Sequence, residues 1–146
     1  MVFELRPASS ADLCFARELT RETMLRYYIQ HDLRWQDEAF DVAWAGRENW
    51  LICQGDSVLG FLSLSRDAKA LYIRELHVIK TDRCKGAGSW AIEQVFSMAR
   101  EERRSSLRLT VFKNNPAQVL YQRMGLSVVG EEDCFLRMER MCSAAP

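Results

Sequence analysis

Two titratable side chains, Glu75 and His77, sit two residues apart in an apolar run from Leu71 to Ile79. A strand puts residues i and i+2 on one face, so Ile73, Glu75 and His77 share a side, with Tyr72, Arg74, Leu76 and Val78 on the other. A carboxylate and an imidazole side by side can hold or pass a proton near neutral pH. Directly after the run come Arg83, Cys84, Lys85, Gly86, Ala87, Gly88 and Ser89, and then an amphipathic stretch. The first N–H groups of a helix have no partner within it, the helix dipole adds positive potential, and glycines let the backbone approach an anion without Cβ clashes. With Arg83 and Lys85 adding charge-assisted contacts, the segment can seat a phosphate. The plain alternative is a glycine-rich connection that binds nothing.

The elements that must position these groups follow from the apolar spacing. Val2 to Arg6 reads as a short strand cut off by Pro7, and Ser9 with Asp12 fits a capping box opening a helix with a buried face of Leu13, Ala16 and Leu19. A second helical stretch from about Glu22 to Trp35 carries Met24, Leu25, Tyr27, Tyr28, Leu33 and Trp35. Trp50 to Cys53 and Val58 to Leu64 flank Gln54-Gly55-Asp56-Ser57, the signature of a β-hairpin. After the Leu71 to Ile79 strand, Ile92, Val95, Phe96 and Ala99 recur at helical spacing between Gly88 and about Arg100, as in a helix packed on a sheet. Leu107 to Phe112 is a strand. Asn115 suits an N-cap, Pro116 the first helical position, and Gly125 the left-handed C′ residue of a short helix whose stripe is Ala117, Leu120, Tyr121 and Met124. Ser127 to Gly130 and Cys134 to Arg140 form a closing hairpin, and the tail MCSAAP reads as frayed.

Three readings of the glycines compete. A Walker loop requires its lysine after the glycines, whereas Lys85 precedes them. Gly86-x-Gly88-x-x-Ala91 formally fits the dinucleotide fingerprint, but it lies past mid-chain and no Asp or Glu stands on the Leu107 to Phe112 strand to hold a ribose. The third is an acyl-CoA loop. Arg83-x-x-Gly86-x-Gly88 resembles the first signature of the GNAT acetyltransferases, and Asn114-Asn115-Pro116-Ala117-Gln118-Val119-Leu120-Tyr121-Gln122-Arg123-Met124-Gly125-Leu126 resembles their second. Two signatures in the right order, on the expected elements, are far more specific than either one. The likeness is close from about Leu71 to Arg140; Cys84-Lys85 departs from the common Arg-Gly.

The resemblance implies an α+β fold: a mixed, mostly antiparallel sheet of six to seven strands, splayed between its central strands and flanked by about four helices. It implies one domain over residues 1–146, with an acceptor-side half at 1–69 and an acyl-CoA half at 70–142. Acetyl-CoA would be the co-substrate, held by Leu76, His77 and Val78 along the pantetheine arm, by Arg83, Cys84, Lys85, Gly86, Ala87, Gly88 and Ser89 at the pyrophosphate, and by Asn114, Ala117, Tyr121 and Arg123. No metal is implied. An amine attacks a thioester only when neutral, so a base must take its proton. Glu75 is the leading candidate; it or His77, on the same strand face, could act directly or through a water, and Glu38 or Asp37 could serve instead. Tyr121 resembles the phenol that protonates the leaving thiolate in this family, although its spacing also fits the core. Tyr27, Tyr28, His31, Trp35 and Trp44 fall in the segment that lines the acceptor side; they equally suit a core. The activity implied is transfer of an acetyl group to a primary amine of a small molecule or peptide, by direct attack in a ternary complex. A non-catalytic acyl-CoA sensor shares the same loop.

Composition agrees with a cytoplasmic enzyme, monomeric or homodimeric. Lys plus Arg and Asp plus Glu both number 20, which leaves no global field for nucleic acid or an acidic membrane surface. Cys14, Cys53, Cys84, Cys134 and Cys142 are odd in number and show no zinc spacing, as in a reduced compartment. The start MVFELRPASS lacks the basic start and following apolar run expected of a signal peptide, and no apolar run approaches the roughly 18 residues of a membrane span.

Overall fold

A computed structural model describes residues 2–83 and 85–142. The expectation for Cys84 in the loop, and that for residues 143–146 of the tail, lie outside the described residues. In chain order the elements are β1 (Phe3–Pro7), a 3₁₀ turn (Ser10–Asp12), α1 (Leu13–Gln30), α2 (Asp37–Ala45), β2 (Glu48–Gln54), β3 (Ser57–Arg66), β4 (Ala70–Val78), a 3₁₀ turn (Lys80–Asp82), α3 (Ala87–Glu101), β5 (Ser106–Phe112), α4 (Ala117–Arg123), β6 (Ser127–Glu132) and β7 (Phe135–Met141). The strands form a mixed sheet in the order β1-β2-β3-β4-β5-β7-β6. β4 and β5 pair in parallel, while β1/β2, β2/β3, β5/β7 and β6/β7 are antiparallel. This is the expected α+β architecture, with seven strands and four α-helices. The chain forms two compact units: Met1–Leu64 with Glu75–Ala91, and Ser65–Arg74 with Ile92–Pro146.

In the first unit the hairpin turns through Gly55 and Asp56, closed by the pair Gln54↔Ser57, with Gly55 at φ +59°. The Ser9 N–H donates to the Asp12 carboxylate at 2.9 Å in the expected capping box, but the turn it opens is 3₁₀. α1 then runs unbroken to Gln30, in place of the two helices expected, and stops short of Leu33 and Trp35. Thr20, whose polarity interrupts the apolar spacing, is buried with its hydroxyl donating to the Ala16 carbonyl at 2.8 Å, so the helix continues through it. The stop is a Schellman motif: Asp32 adopts φ 60°, its N–H bonds the Ile29 carbonyl (3.2 Å), and the Leu33 N–H bonds the Tyr28 carbonyl (2.8 Å).

α2 has no counterpart among the expected elements. Arg17 on α1 grips both carboxylate oxygens of Asp41 on α2, at 2.8 and 3.1 Å. Between and beneath the two helices, Ala16, Leu19, Phe40 and Phe61 form a buried cluster, bordered by Leu13, Phe15, Trp35, Trp44 and Ile79. Burying a phenylalanine such as Phe61 contributes about 1.5–3 kcal/mol.

In the second unit β5 lies between β4 and β7, with Leu107, Leu109, Val111 and Phe112 buried. The α3 residues Ile92, Val95, Phe96 and Ala99 are buried, as their spacing requires. Asn115 accepts the Ala117 N–H on its side-chain oxygen (2.9 Å), and Gly125 stands at φ +91° with its N–H on the Gln122 carbonyl and the Leu126 N–H on the Tyr121 carbonyl, both at 3.0 Å. The boundaries of α4 are therefore as the sequence signals them. The expected fraying does not begin at Met141: that residue ends β7, and Cys142 is buried with its N–H on the Ser105 carbonyl (2.9 Å). Among the described residues no helix is long and apolar enough to cross a membrane, and no His, Cys, Asp and Glu group could hold a metal.

Candidate active site

The C-terminal end of β4 carries two neighbouring titratable side chains in the first unit. Glu75 and His77 project from one face, and Nε2 of His77 lies 2.8 Å from Oε1 of Glu75. The imidazole is 6% exposed and the carboxylate 21%. Nη1 of Arg47, from the connection between α2 and β2, stands 3.7 Å from the other oxygen, an ion pair longer than a hydrogen bond. Tyr28 of α1 is electrostatically coupled to the same group. Burial pushes its phenol above the ordinary tyrosine value, the Glu75 carboxylate adds to that, and Arg47 opposes it. One carboxylate, one imidazole, one guanidinium and one phenol thus converge from α1, β4 and the α2–β2 connection.

The backbone here is held closely. A Cβ on Gly60 of β3 would lie 2.4 Å from the His77 carbonyl oxygen, so only glycine allows this approach. The Ile79 N–H bonds the Leu59 carbonyl at 2.7 Å. Just beyond, Nε of Arg83 donates to the Val78 carbonyl (3.1 Å) and Nη2 to the Thr23 hydroxyl (3.4 Å), so this guanidinium ties the strand end to α1. Lys85 pairs with Asp82 at 3.1 Å and remains 57% exposed. Gly86 adopts φ +89° with open space where a Cβ would be, and its carbonyl accepts the Trp90 N–H at 2.9 Å. The N–H groups of Ala87, Gly88 and Ser89 precede that bond at the start of α3. An anion that needs backbone donors beside a glycine cradle fits this turn.

The sequence matches the Acetyltransferase (GNAT) family over residues 16–126. The chain belongs to this family. Solved structures agree on the fold. The PaiA N-acetyltransferase of Thermoplasma acidophilum, in complex with coenzyme A, shows a TM-score of 0.76 at 17% identity, covering 97% of this chain and 99% of that one. The ribosomal-protein-S18-alanine N-acetyltransferase of Escherichia coli also reaches 0.76, at 16% identity and 99% and 97% coverage. A GNAT family acetyltransferase of Elizabethkingia anophelis with acetyl-CoA bound reaches 0.70, at 15% identity and 95% and 97% coverage. No curated protein matches the sequence.

In this GNAT acetyltransferase the expected acceptor residues separate by environment. Tyr28 stands with Glu75 and Arg47, and its ring meets Trp35 edge-on at 5.5 Å. From Trp35 the rings continue to Phe40 (6.1 Å), and Phe40 contacts both Trp44 (6.3 Å) and Phe61 (6.0 Å). Tyr27 instead points into the core, 4% exposed, with its hydroxyl accepting from Arg26 at 2.7 Å. His31 caps the end of α1 through its N–H on the Tyr27 carbonyl. Of the alternative bases, Asp37 accepts the Trp35 indole N–H at 2.7 Å, and Glu38 lines a surface depression of about 560 Å³ with Arg21, Arg34, Trp35, Gln36 and Asp37. Leu76 and Val78 occupy the β4 end; Asn114, Ala117, Tyr121 and Arg123 belong to the second unit, on and just before α4, where Tyr121 is half-buried.

Arg47 is the site residue that sequence reasoning missed. It lies in a polar turn far from Glu75 along the chain, and α2 is what carries it there. The Asn49 side-chain amide bonds the Trp44 carbonyl (3.0 Å) and the Arg47 carbonyl (3.3 Å), and its oxygen accepts the Ser63 hydroxyl (2.7 Å). A signal was present in Asn49, three residues after Gly46, a polar residue able to tie off a helix end, but only with α2 in view.

Proposed function

We propose that this chain transfers an acetyl group from acetyl-CoA to a primary amine of a small molecule or peptide, by direct attack within a ternary complex. The observation that carries this is the Glu75 carboxylate, positioned on β4 directly ahead of a left-handed glycine and a helix start suited to a diphosphate. Acetyl-CoA supplies the activated thioester. Backbone N–H groups of Ala87, Gly88 and Ser89 hold its pyrophosphate, with Lys85 and Arg83 adding charge, and the backbone from Leu76 to Val78 pairs with the pantetheine arm. Asn114, Ala117 and Arg123 complete its binding.

Glu75 takes the proton of the arriving ammonium, because only the neutral amine is nucleophilic. A backbone N–H near Leu76 to Val78 steadies the charge that develops on the carbonyl oxygen. Tyr121 gives its phenolic proton to the departing thiolate. Tyr28, Trp35 and His31 line the acceptor side, and Tyr27 on α1 is buried. Most of the acceleration comes from holding amine and thioester together, which makes a bimolecular step a positioned one.

Calorimetry with free and acetylated coenzyme A, followed by thiol release across a panel of alkylamines and peptide N-termini, tests the reading. Binding of both cofactor forms together with turnover on at least one amine class is the expected result. Absence of binding sinks it, and tight binding with no turnover on any amine replaces it with an acyl-CoA sensor.

A further inference from the structure

Four polar side chains are buried in the described residues, and three of them serve the framework. Thr20 bonds the Ala16 carbonyl, Ser63 bonds Asn49, and Ser106 bonds Glu139. The fourth, His77, spends its contact on Glu75, the group assigned above as the base. An ionised carboxylate can only accept, so a 2.8 Å approach of Nε2 to Oε1 places the shared proton on Nε2. The imidazole has little freedom to leave: it is 6% exposed, Gly60 lets β3 press against the His77 carbonyl, and the next ladder bond runs from Ile79 to Leu59.

We propose that His77 is a positioning residue for Glu75: its Nε2–H fixes one carboxylate oxygen and leaves the other, which Arg47 approaches only to 3.7 Å, to meet the acceptor ammonium. The inference rests on Glu75 as the base. Glu has rotatable side-chain bonds whose freedom must be removed for a proton transfer that works only within hydrogen-bond reach, and a misplacement of about 1 Å can cost on the order of 10²-fold in rate. Arg47, anchored from the α2–β2 connection and 3.7 Å from the second oxygen, and Tyr28, from α1, also face the carboxylate. Their long-range charge adjusts the field, while His77 sets direction.

A double-mutant cycle on the intact enzyme decides the matter, read as kcat and as KM for acetyl-CoA with one fixed amine. His77→Leu lowers kcat about 30-fold with KM for acetyl-CoA within about twofold, and His77→Gln, whose amide nitrogen reaches the place of Nε2, recovers kcat to within about threefold of the original. In a Glu75→Gln background, His77→Leu costs less than about twofold, because its effect passes through the carboxylate. If His77→Leu costs the same factor in both backgrounds, or if His77→Gln is as poor as His77→Leu while melting normally, the positioning role is wrong and Glu75 stands alone. Undiminished kcat in Glu75→Gln removes the base and the positioning role together. Should His77→Leu fail to fold, His77→Asn, whose shorter amide stops short of Glu75, takes its place under the same criteria.

Discussion

Glu75 in the first unit and Asp67 in the second are both carboxylates near an arginine and a tyrosine, but their donors are arranged differently. Asp67 accepts the Tyr72 hydroxyl at 2.7 Å and the backbone N–H groups of Lys69 and Ala70 at 2.8 Å each. The Tyr72 hydrogen bond and then the two backbone bonds hold its pKa down to about 2. Around it the network continues. Arg108 bonds Tyr72 and Glu139, Ser106 bonds Glu139, and Arg66 and Arg104 bond Glu102. Burial pushes Glu139 up, yet the Ser106 and Arg108 hydrogen bonds outweigh it, and Glu102 is lowered chiefly by Arg66. Glu75 meets His77 at 2.8 Å on one oxygen, and its second oxygen faces a guanidinium at the longer 3.7 Å. Residue type is shared by the two regions; the arrangement of the neighbours separates them.

The sharpest way to break this contrast is to neutralise one carboxylate in each region. Glu75→Gln lowers kcat by about 10²-fold or more, within the usual span for a lost general base, while coenzyme A binding by calorimetry is retained. Asp67→Asn leaves kcat within about twofold. Equal kinetic losses at the two positions would end the distinction.

The next largest effect is structural and falls on the strand contact behind His77. Gly60→Ala drives a Cβ to 2.4 Å from the His77 carbonyl oxygen, backbone against backbone, and the overpacking costs about 1–3 kcal/mol. For a chain of this size that lowers Tm by roughly 2–4 °C per kcal/mol, measured by thermal melts. Gly55→Ala, with nothing within 4 Å of the added carbon, meets only the strain of its φ of +59° and should cost less. The reverse order would mean that β3 does not press on β4 at this point.

The two tyrosines sharpen the contrast further. Tyr121→Phe lowers kcat about tenfold or more with coenzyme A affinity unchanged, as for a lost general acid. Tyr72→Phe, in the donor-rich network, leaves kcat within about twofold and shifts only stability. Unchanged turnover in Tyr121→Phe returns that ring to packing.

Much of this was legible in the residues, and what was not has a physical reason. The α4 boundaries could be read because Asn115, Pro116 and Gly125 act through local backbone geometry. The juxtaposition of Glu75 with His77 could be read because strand periodicity is short-range and strict. The unity of α1 was hidden by Thr20, a polar residue made tolerable by a hydrogen bond to its own helix. α2 was hidden because its apolar residues, Phe40, Val42 and Trp44, alternate as in a strand, while Val42 is 76% exposed and it is Phe40 and Trp44 that meet Phe61. Arg47 followed α2 into obscurity, since its nearness to Glu75 is a tertiary fact.

The smallest predicted effect concerns acid. Asp67 has a folded pKa of about 2 against an ordinary 3.8, so its contribution to stability is present above pH 3.8 and is lost as pH falls through that window toward 2. Glu102 and Glu139, also lowered, steepen the same acid limb. Asp67→Asn should flatten the fall of Tm between about pH 4 and pH 2 by lowering Tm at neutrality and leaving it unchanged near pH 2, and the change is small because Asp67 is exposed and solvent screens its interactions. A Tm profile that falls as steeply with acid in Asp67→Asn as in the original chain would remove this carboxylate from the acid limb.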